Sequence, residues 1–194
     1  MFKNDDVLII DSRWVLRNDK DYLVLYLIDT SEAKTWILPP LLSYAVAFIN
    51  GKNSYSRLIS LIGRVFGTDD FGKSKQLTDR VLSILNDRDS IVRKRMEEPK
   101  EEDSNIFETK DFFIPLERYR FPENARLKYP TKVNLFVTKK CCAKCIYCYA
   151  DLRKDNSDEL LSFDEWRKII DQCLSMGIWN IEVLGGDQLS CREG

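Results

Sequence analysis

The sequence contains no histidine. That absence removes imidazole general-base catalysis, the Ser-His-Asp and Cys-His nucleophile systems, and mixed Cys/His zinc sites. No run reaches the ~20 apolar residues that span a bilayer. The most apolar stretch, Trp36 to Ile49, is shorter and broken by Pro39-Pro40. Neither sign of charge prevails: 30 Lys+Arg against 31 Asp+Glu leave a formal net charge of -1. No global field therefore draws the chain to nucleic acid or to an anionic membrane. The first residues, Met1 to Asp6, lack the charged, apolar, small-residue order of a secretory signal. Internal repeats and low-complexity tracts are missing as well. A cytoplasmic, reducing setting is the expectation, and there clustered cysteines bind metal or act catalytically more often than they pair. Chemistry must come from cysteines, carboxylates or a bound cofactor.

What is present is the composition of a globular protein, 44% hydrophobic and 31% charged over 194 residues, enough for one ordinary domain or two small ones. Residues 1–92 read as an α+β domain. Val7 to Ile10 and Trp14 to Leu16 are short β-rich runs that could form one bent strand; Tyr22 to Ile28 and Lys34 to Leu38 are the next two, with turn chemistry at Asp29-Thr30-Ser31. Pro39-Pro40 stops the sheet and opens a helix. Its apolar face is Leu41, Leu42, Ala45, Phe48 and Ile49, with Asn50-Gly51 as the C-cap pair. Leu58, Ile59, Ile62, Val65 and Phe66, closed by Gly67, make a second helix; Leu77, Val81, Ile84 and Leu85 make a third. Three strands and three helices predict a winged-helix-like domain.

Residues 93–130 read as a linker and docking segment. The charge run from Arg93 to Asp103 has few apolar anchors. Phe112 to Leu116 and Tyr119 to Pro122 are expected to dock on the next domain. In residues 131–194, Lys132 to Val137 is a strand, and Ser162 with Glu165 forms a capping box. The helix so opened places Trp166, Ile169, Ile170, Cys173 and Leu174 on one face and ends at Gly177. Ile178 to Leu184 is the next strand, ending in Gly185-Gly186. One βαβ unit pairs its strands in parallel, but it closes no core and needs more strands than these residues supply.

Four cysteines lie within eight residues in the run Thr138-Lys-Lys-Cys-Cys-Ala-Lys-Cys-Ile-Tyr-Cys-Tyr149, just after the first of these strands. Parallel α/β folds build their sites at that end. Such clustering suits thiolate ligation of zinc or of an iron–sulfur cluster. A ferredoxin-like register through Cys142, Cys145 and Cys148 wants a further cysteine where Leu152 stands. The register Cys141, Cys145, Cys148 leaves a cluster one open iron. A structural zinc knuckle stays open as the rival, its fourth ligand being Cys142, Cys173 or Cys191.

The pattern Thr-x-x-Cys-x-x-x-Cys-x-aromatic-Cys after a strand resembles the radical S-adenosylmethionine (SAM) superfamily. The resemblance implies an α/β partial TIM barrel, of which residues 131–194 are the first βαβ portion. It implies a 4Fe–4S cluster held by Cys141, Cys145 and Cys148, with SAM on the fourth iron. Tyr147 would pack near the adenine. Gly185, Gly186 and Asp187 stand where the family carries Gly-Gly-Glu-Pro, which reaches the SAM amino group; here Asp187 is one methylene shorter than Glu, and Gln188 replaces Pro. Cys142 is then a bystander and Cys173 a core residue.

The front domain resembles the precursor-peptide recognition element of enzymes that modify ribosomally made peptides, through the order of its elements. That resemblance implies a leader peptide added as a strand near Lys34 to Leu38 and packed on a helix. Together the two imply a radical SAM peptide maturase: SAM cleavage gives a 5′-deoxyadenosyl radical, and a thioether or carbon–carbon bond forms in the precursor. The electron comes from a donor such as a flavodoxin or ferredoxin. The alternative is a leader-binding or regulatory winged-helix module with a structural or vestigial cysteine loop; Arg57 and Arg64 keep DNA binding in view, although no nucleic acid or membrane partner is expected. A complete barrel takes about 250 residues, so the chain is expected to be a fragment, inactive alone.

Overall fold

A computed structural model describes residues 2–28, 34–87, 89–96, 105–120, 126–138, 141, 145–148 and 160–186. The chain divides into two units, residues 1–128 and 129–194.

The described residues of the first unit form two small sheets and three α-helices. Val7–Ile10 (β1) and Trp14–Asn18 (β2) do not form one bent strand, because a turn separates them. The Asp11 carbonyl accepts from the Trp14 amide at 2.9 Å, and the Asp11 carboxylate accepts from the Arg13 amide and Nε. Reversal at this turn sends β1 and β2 into different sheets. Strand β2 pairs antiparallel with Leu23–Leu27 (β3), Trp14 opposite Leu27 and Asn18 opposite Leu23; β3 pairs in turn with Thr35–Ile37 (β4), which is an edge. The proposed turn Asp29-Thr30-Ser31 lies outside the described residues.

Pro39 caps the helix Pro40–Phe48 (α1), so the proline pair does open it. Its end differs from expectation. Ile49 is the C-cap, and Asn50-Gly51 instead begins the strand Asn50–Ser54 (β5), which pairs antiparallel with β1. Gly51 adopts φ +73, where a Cβ would crowd Ile106 at 3.0 Å. Nothing in Asn-Gly-Lys-Asn-Ser suggests a strand by propensity; pairing to the buried β1 imposes it. Ser54 then caps Tyr55–Val65 (α2) by accepting from the Arg57 amide, and Asp70 caps Phe71–Asn86 (α3) by accepting from the Lys73 amide. The three residues Val92–Lys94 (β6) form the other edge on β1. The described residues of the unit therefore form six strands where three were expected.

Its core joins Trp14, Leu23, Leu25, Tyr26 and Leu38 from the β2–β3 side to Ala45, Leu58, Ile59, Ile62 and Leu85 of the helices. Helices α2 and α3 approach closely at Gly63, where a Cβ would stand 2.3 Å from Ser74 Oγ. Residues 105–120 also pack on this unit. Asn105 donates to the carbonyls of Ile10, Asp11 and Trp14, while Ile114 and Tyr119 are buried. Tyr44 and Phe113 stack at 5.1 Å. The described part of the aromatic segment, 112–120, thus docks backwards, on the first unit, where docking on the next domain was expected; Phe121 and Pro122 lie outside the described residues. Its aromatic rings find the apolar surface left open beside α1, which an extended charged linker would not supply.

The second unit is a βαβ arrangement. Lys132–Phe136 (β7) and Asn180–Leu184 (β8) pair in parallel, Lys132 opposite Asn180 and Phe136 opposite Leu184. Between them runs Phe163–Ser175 (α4), opened by a complete capping box of Ser162 and Glu165. The Ser162 hydroxyl, followed by its backbone amide, holds the Glu165 carboxyl below its ordinary pKa. The box is therefore intact at neutral pH and weakens as pH falls through that depressed value. Gly177, at φ +68, ends the helix, and the Ile178 amide donates to the Cys173 carbonyl at 2.9 Å. Of the expected apolar face only Cys173 is buried; Ile170 and Leu174 are exposed. The two strands and one helix among the described residues offer too little surface to cover that face.

Candidate functional site

The site is built where β7 and β8 end side by side. Past β7, the Val137 amide donates to the Leu184 carbonyl at 3.0 Å, and the Gly186 amide donates to the Thr138 carbonyl at 2.8 Å. The two loops are laced together at their roots. Gly185 makes this possible: it sits at φ +141, and a Cβ there would come within 2.5 Å of the Thr138 carbonyl oxygen and 3.1 Å of its amide nitrogen. A backbone this close to another backbone excludes every residue but glycine. Thr138 heads the cysteine run, so the glycine pair and the start of that run share one strand end. Sequence reasoning gave Thr138 no role of its own; its position as the first residue of the run was the available signal.

In the run itself, Cys141 and Cys148 are half-buried and Cys145 is exposed. The Cys148 amide reaches the Cys145 carbonyl at 3.4 Å, marking a turn over residues 145–148. At its tip Ile146 is 92% and Tyr147 85% exposed. Among the described residues no three cysteine or carboxylate side chains group around a point able to hold a metal ion. Asp187, Gln188, Cys142, Cys191 and Leu152 lie outside the described residues. Cys173 is buried on α4, away from solvent.

As a donor set the run suits thiolate ligation by its chemistry: cysteines at 141, 145 and 148, no imidazole in the chain to compete, and Gly185 packed closely on Thr138 at the adjoining strand end. The same strand ends would give a small ligand backbone groups rather than side chains to approach.

On the first unit, β4 leaves one edge for another strand. The Leu38 amide donates to the Leu23 carbonyl and the Lys34 carbonyl accepts from the Leu27 amide. Residues 34, 36 and 38 therefore face β3, and the backbone groups of Thr35 and Ile37 point outward. Where β4 gives way to α1, an apolar groove of about 360 Å³ opens, lined by Pro39, Leu41, Leu42, Phe66, Leu77 and Ile84, with Arg80 on its wall. Leu41 and Ile84, expected in the core, are 47% and 46% exposed because they line it. No helix among the described residues is long and apolar enough to cross a membrane.

Comparison with known proteins gives partial matches. The chain is 38% identical over 55 residues to a probable GTP 3′,8-cyclase of Methanococcus maripaludis, covering 28% of this chain and 18% of that protein. It is 33% identical over 64 residues to a GTP 3′,8-cyclase of Clostridium perfringens, 32% of this chain and 20% of that one. It is 31% identical over 64 residues to a PqqA peptide cyclase of Bradyrhizobium diazoefficiens, 33% of this chain and 17% of that one. The chain thus spans no more than about a fifth of the length of these curated relatives. No family model matches, and no solved structure matches. All three relatives are named as cyclases, two of GTP and one of a peptide.

Proposed function

We propose that this chain carries the recognition domain and the first part of the catalytic barrel of a radical SAM enzyme that modifies a ribosomal precursor peptide. The observation that carries the reading is the lacing of Thr138 to Gly185-Gly186, which joins the cysteine run to the glycine pair at one end of two parallel strands. Cys141, Cys145 and Cys148 would hold a 4Fe–4S cluster. Gly185, Gly186 and Asp187 would receive SAM, and Tyr147, open to solvent, would stack on its adenine. When bound, that pair supplies the one-electron chemistry from which a hydrogen-abstracting radical arises. The protein positions the partners: a reduced flavodoxin- or ferredoxin-type donor, and the peptide. The test is anaerobic reconstitution of the full-length protein with iron and sulfide, then addition of dithionite and SAM. Formation of 5′-deoxyadenosine supports the reading; a stoichiometric tetrahedral zinc site in its place overturns it.

Peptide selection belongs to the first unit. An extended leader segment would hydrogen-bond to the outward backbone groups of Thr35 and Ile37 and seat an apolar side chain in the adjoining groove; that the substrate is a peptide is supported by the name of the Bradyrhizobium relative. Thr35→Pro discriminates this from binding elsewhere. It deletes an outward amide but no hydrogen bond to β3, and proline is tolerated on such an edge. Binding of a leader peptide from the neighbouring reading frame is expected to weaken about tenfold by fluorescence anisotropy, with an unchanged circular dichroism spectrum. Unaltered affinity would remove the edge from the reading.

A further inference from the structure

A buried ion pair at the tip of the β2–β3 hairpin has no part in the site described above. Arg17 Nε donates to Asp19 Oδ1 at 2.6 Å and Arg17 Nη2 to Asp19 Oδ2 at 3.1 Å, with side chains only 4% and 0% exposed. Burying two charges is costly and seldom stabilises a fold by itself. What the pair holds is informative. Asp19 Oδ2 also accepts the backbone amide of Lys128 at 3.1 Å. Next to it, the Tyr22 hydroxyl donates to the Arg126 carbonyl at 2.8 Å, and the Asp21 carbonyl accepts the Arg120 amide at 2.9 Å. The hairpin tip therefore grips the chain on both sides of residues 121–125, which lie outside the described residues, and does so at the end of the first unit, shortly before β7 begins at Lys132. Arg17 also lies over the Tyr26 ring at 5.7 Å, and Tyr26 pairs with Thr35 on the peptide-accepting edge β4.

We propose that this hairpin tip is a clamp. Asp19, oriented by Arg17, and Tyr22 fix the point at which the chain leaves the first unit relative to the edge strand β4. Asp19 and Tyr22 are then positioning residues: they touch neither peptide nor cofactor, and they hold the backbone of residues 126–128, through which the chain continues toward β7, to the unit that binds the peptide. The inference rests on the peptide-maturase reading for its consequence, though not for the clamp itself.

The test uses Tyr22→Phe and Asp19→Asn in the full-length, cluster-loaded enzyme, with a synthetic peptide from the neighbouring reading frame. Hydrogen exchange at residues 126–128 is expected to quicken about fivefold in Tyr22→Phe, the effect of one lost hydrogen bond. Peptide affinity should hold while modified peptide per 5′-deoxyadenosine falls by a similar factor, a ratio that a merely structural role would leave alone. Unchanged exchange overturns the clamp, and so does faster exchange with an unchanged ratio. Should Asp19→Asn fail to fold, Tyr22→Phe carries the test, since it keeps the ring and removes only the hydroxyl. If the wild-type enzyme neither binds the peptide nor cleaves SAM, the functional reading fails. In that event exchange alone judges the clamp: faster supports it, unchanged overturns it.

Discussion

Alanine in place of Cys141, Cys145 and Cys148 together is expected to abolish the iron–sulfur absorbance of the reconstituted protein and all reductive cleavage of SAM. The argument is one of ligand supply. The chain has no histidine to step in, and a thiolate set of three is the least that holds a cluster while leaving an iron for a cofactor. Each single replacement should cost nearly as much, because a site with two protein thiolates retains neither its geometry nor its charge balance. The effect should be confined to the site. Cys145 is exposed and its two partners are half-buried, so their removal vacates no core. Cys142→Ala and Cys173→Ala are the informative contrasts. If either abolishes the cluster along with the triad, a fourth protein thiolate is in use and the open-iron reading gives way to a closed site. Iron content, absorbance near the visible charge-transfer band and 5′-deoxyadenosine yield decide among these outcomes.

How far the sequence led depends on the distance over which each signal acts. Local signals were legible: Pro39-Pro40 opens α1, Gly67 comes just after α2, and the Ser162–Glu165 box opens α4, because each acts within one helical turn. The cysteine spacing and the glycine pair were legible for the same reason. Strands β5 and β6 were not. The sequence Asn-Gly-Lys-Asn-Ser has no β-propensity and Val-Arg-Lys is three residues long; both become strands only because buried β1 needs partners on each side. Asn50-Gly51 carried a C-cap signal that tertiary pairing overrode. The backward docking of Phe112 to Tyr119 was equally hidden, since an aromatic cluster says that it will be covered and not by what. In the site, the missing piece was Thr138. Its contribution is a backbone carbonyl, which no side-chain pattern reports.

That carbonyl makes Gly185→Ala the second substitution with a large expected effect. Alanine at φ +141 is strained whatever the space, and here its Cβ would lie 2.5 Å from the Thr138 oxygen, a backbone atom that cannot swing aside. Strain and overpacking together should cost about 2–5 kcal/mol of local stability. Relief comes from parting the roots of the two loops, which breaks the hydrogen bond from the Gly186 amide to the Thr138 carbonyl. The cysteine run then keeps its thiolates but loses its alignment with the glycine pair. Cluster content is accordingly expected to persist while SAM affinity drops about a hundredfold, the equivalent of about 2.7 kcal/mol. Gly67→Ala separates the two causes, because Gly67 also has a positive φ, +68, but nothing lies within 4 Å of its added Cβ. It should cost no more than about 1 kcal/mol and leave SAM binding untouched. Equal losses from both variants would trace the effect to backbone strain alone; full SAM affinity in Gly185→Ala would mean that the glycine pair and the cysteine run do not act as one site.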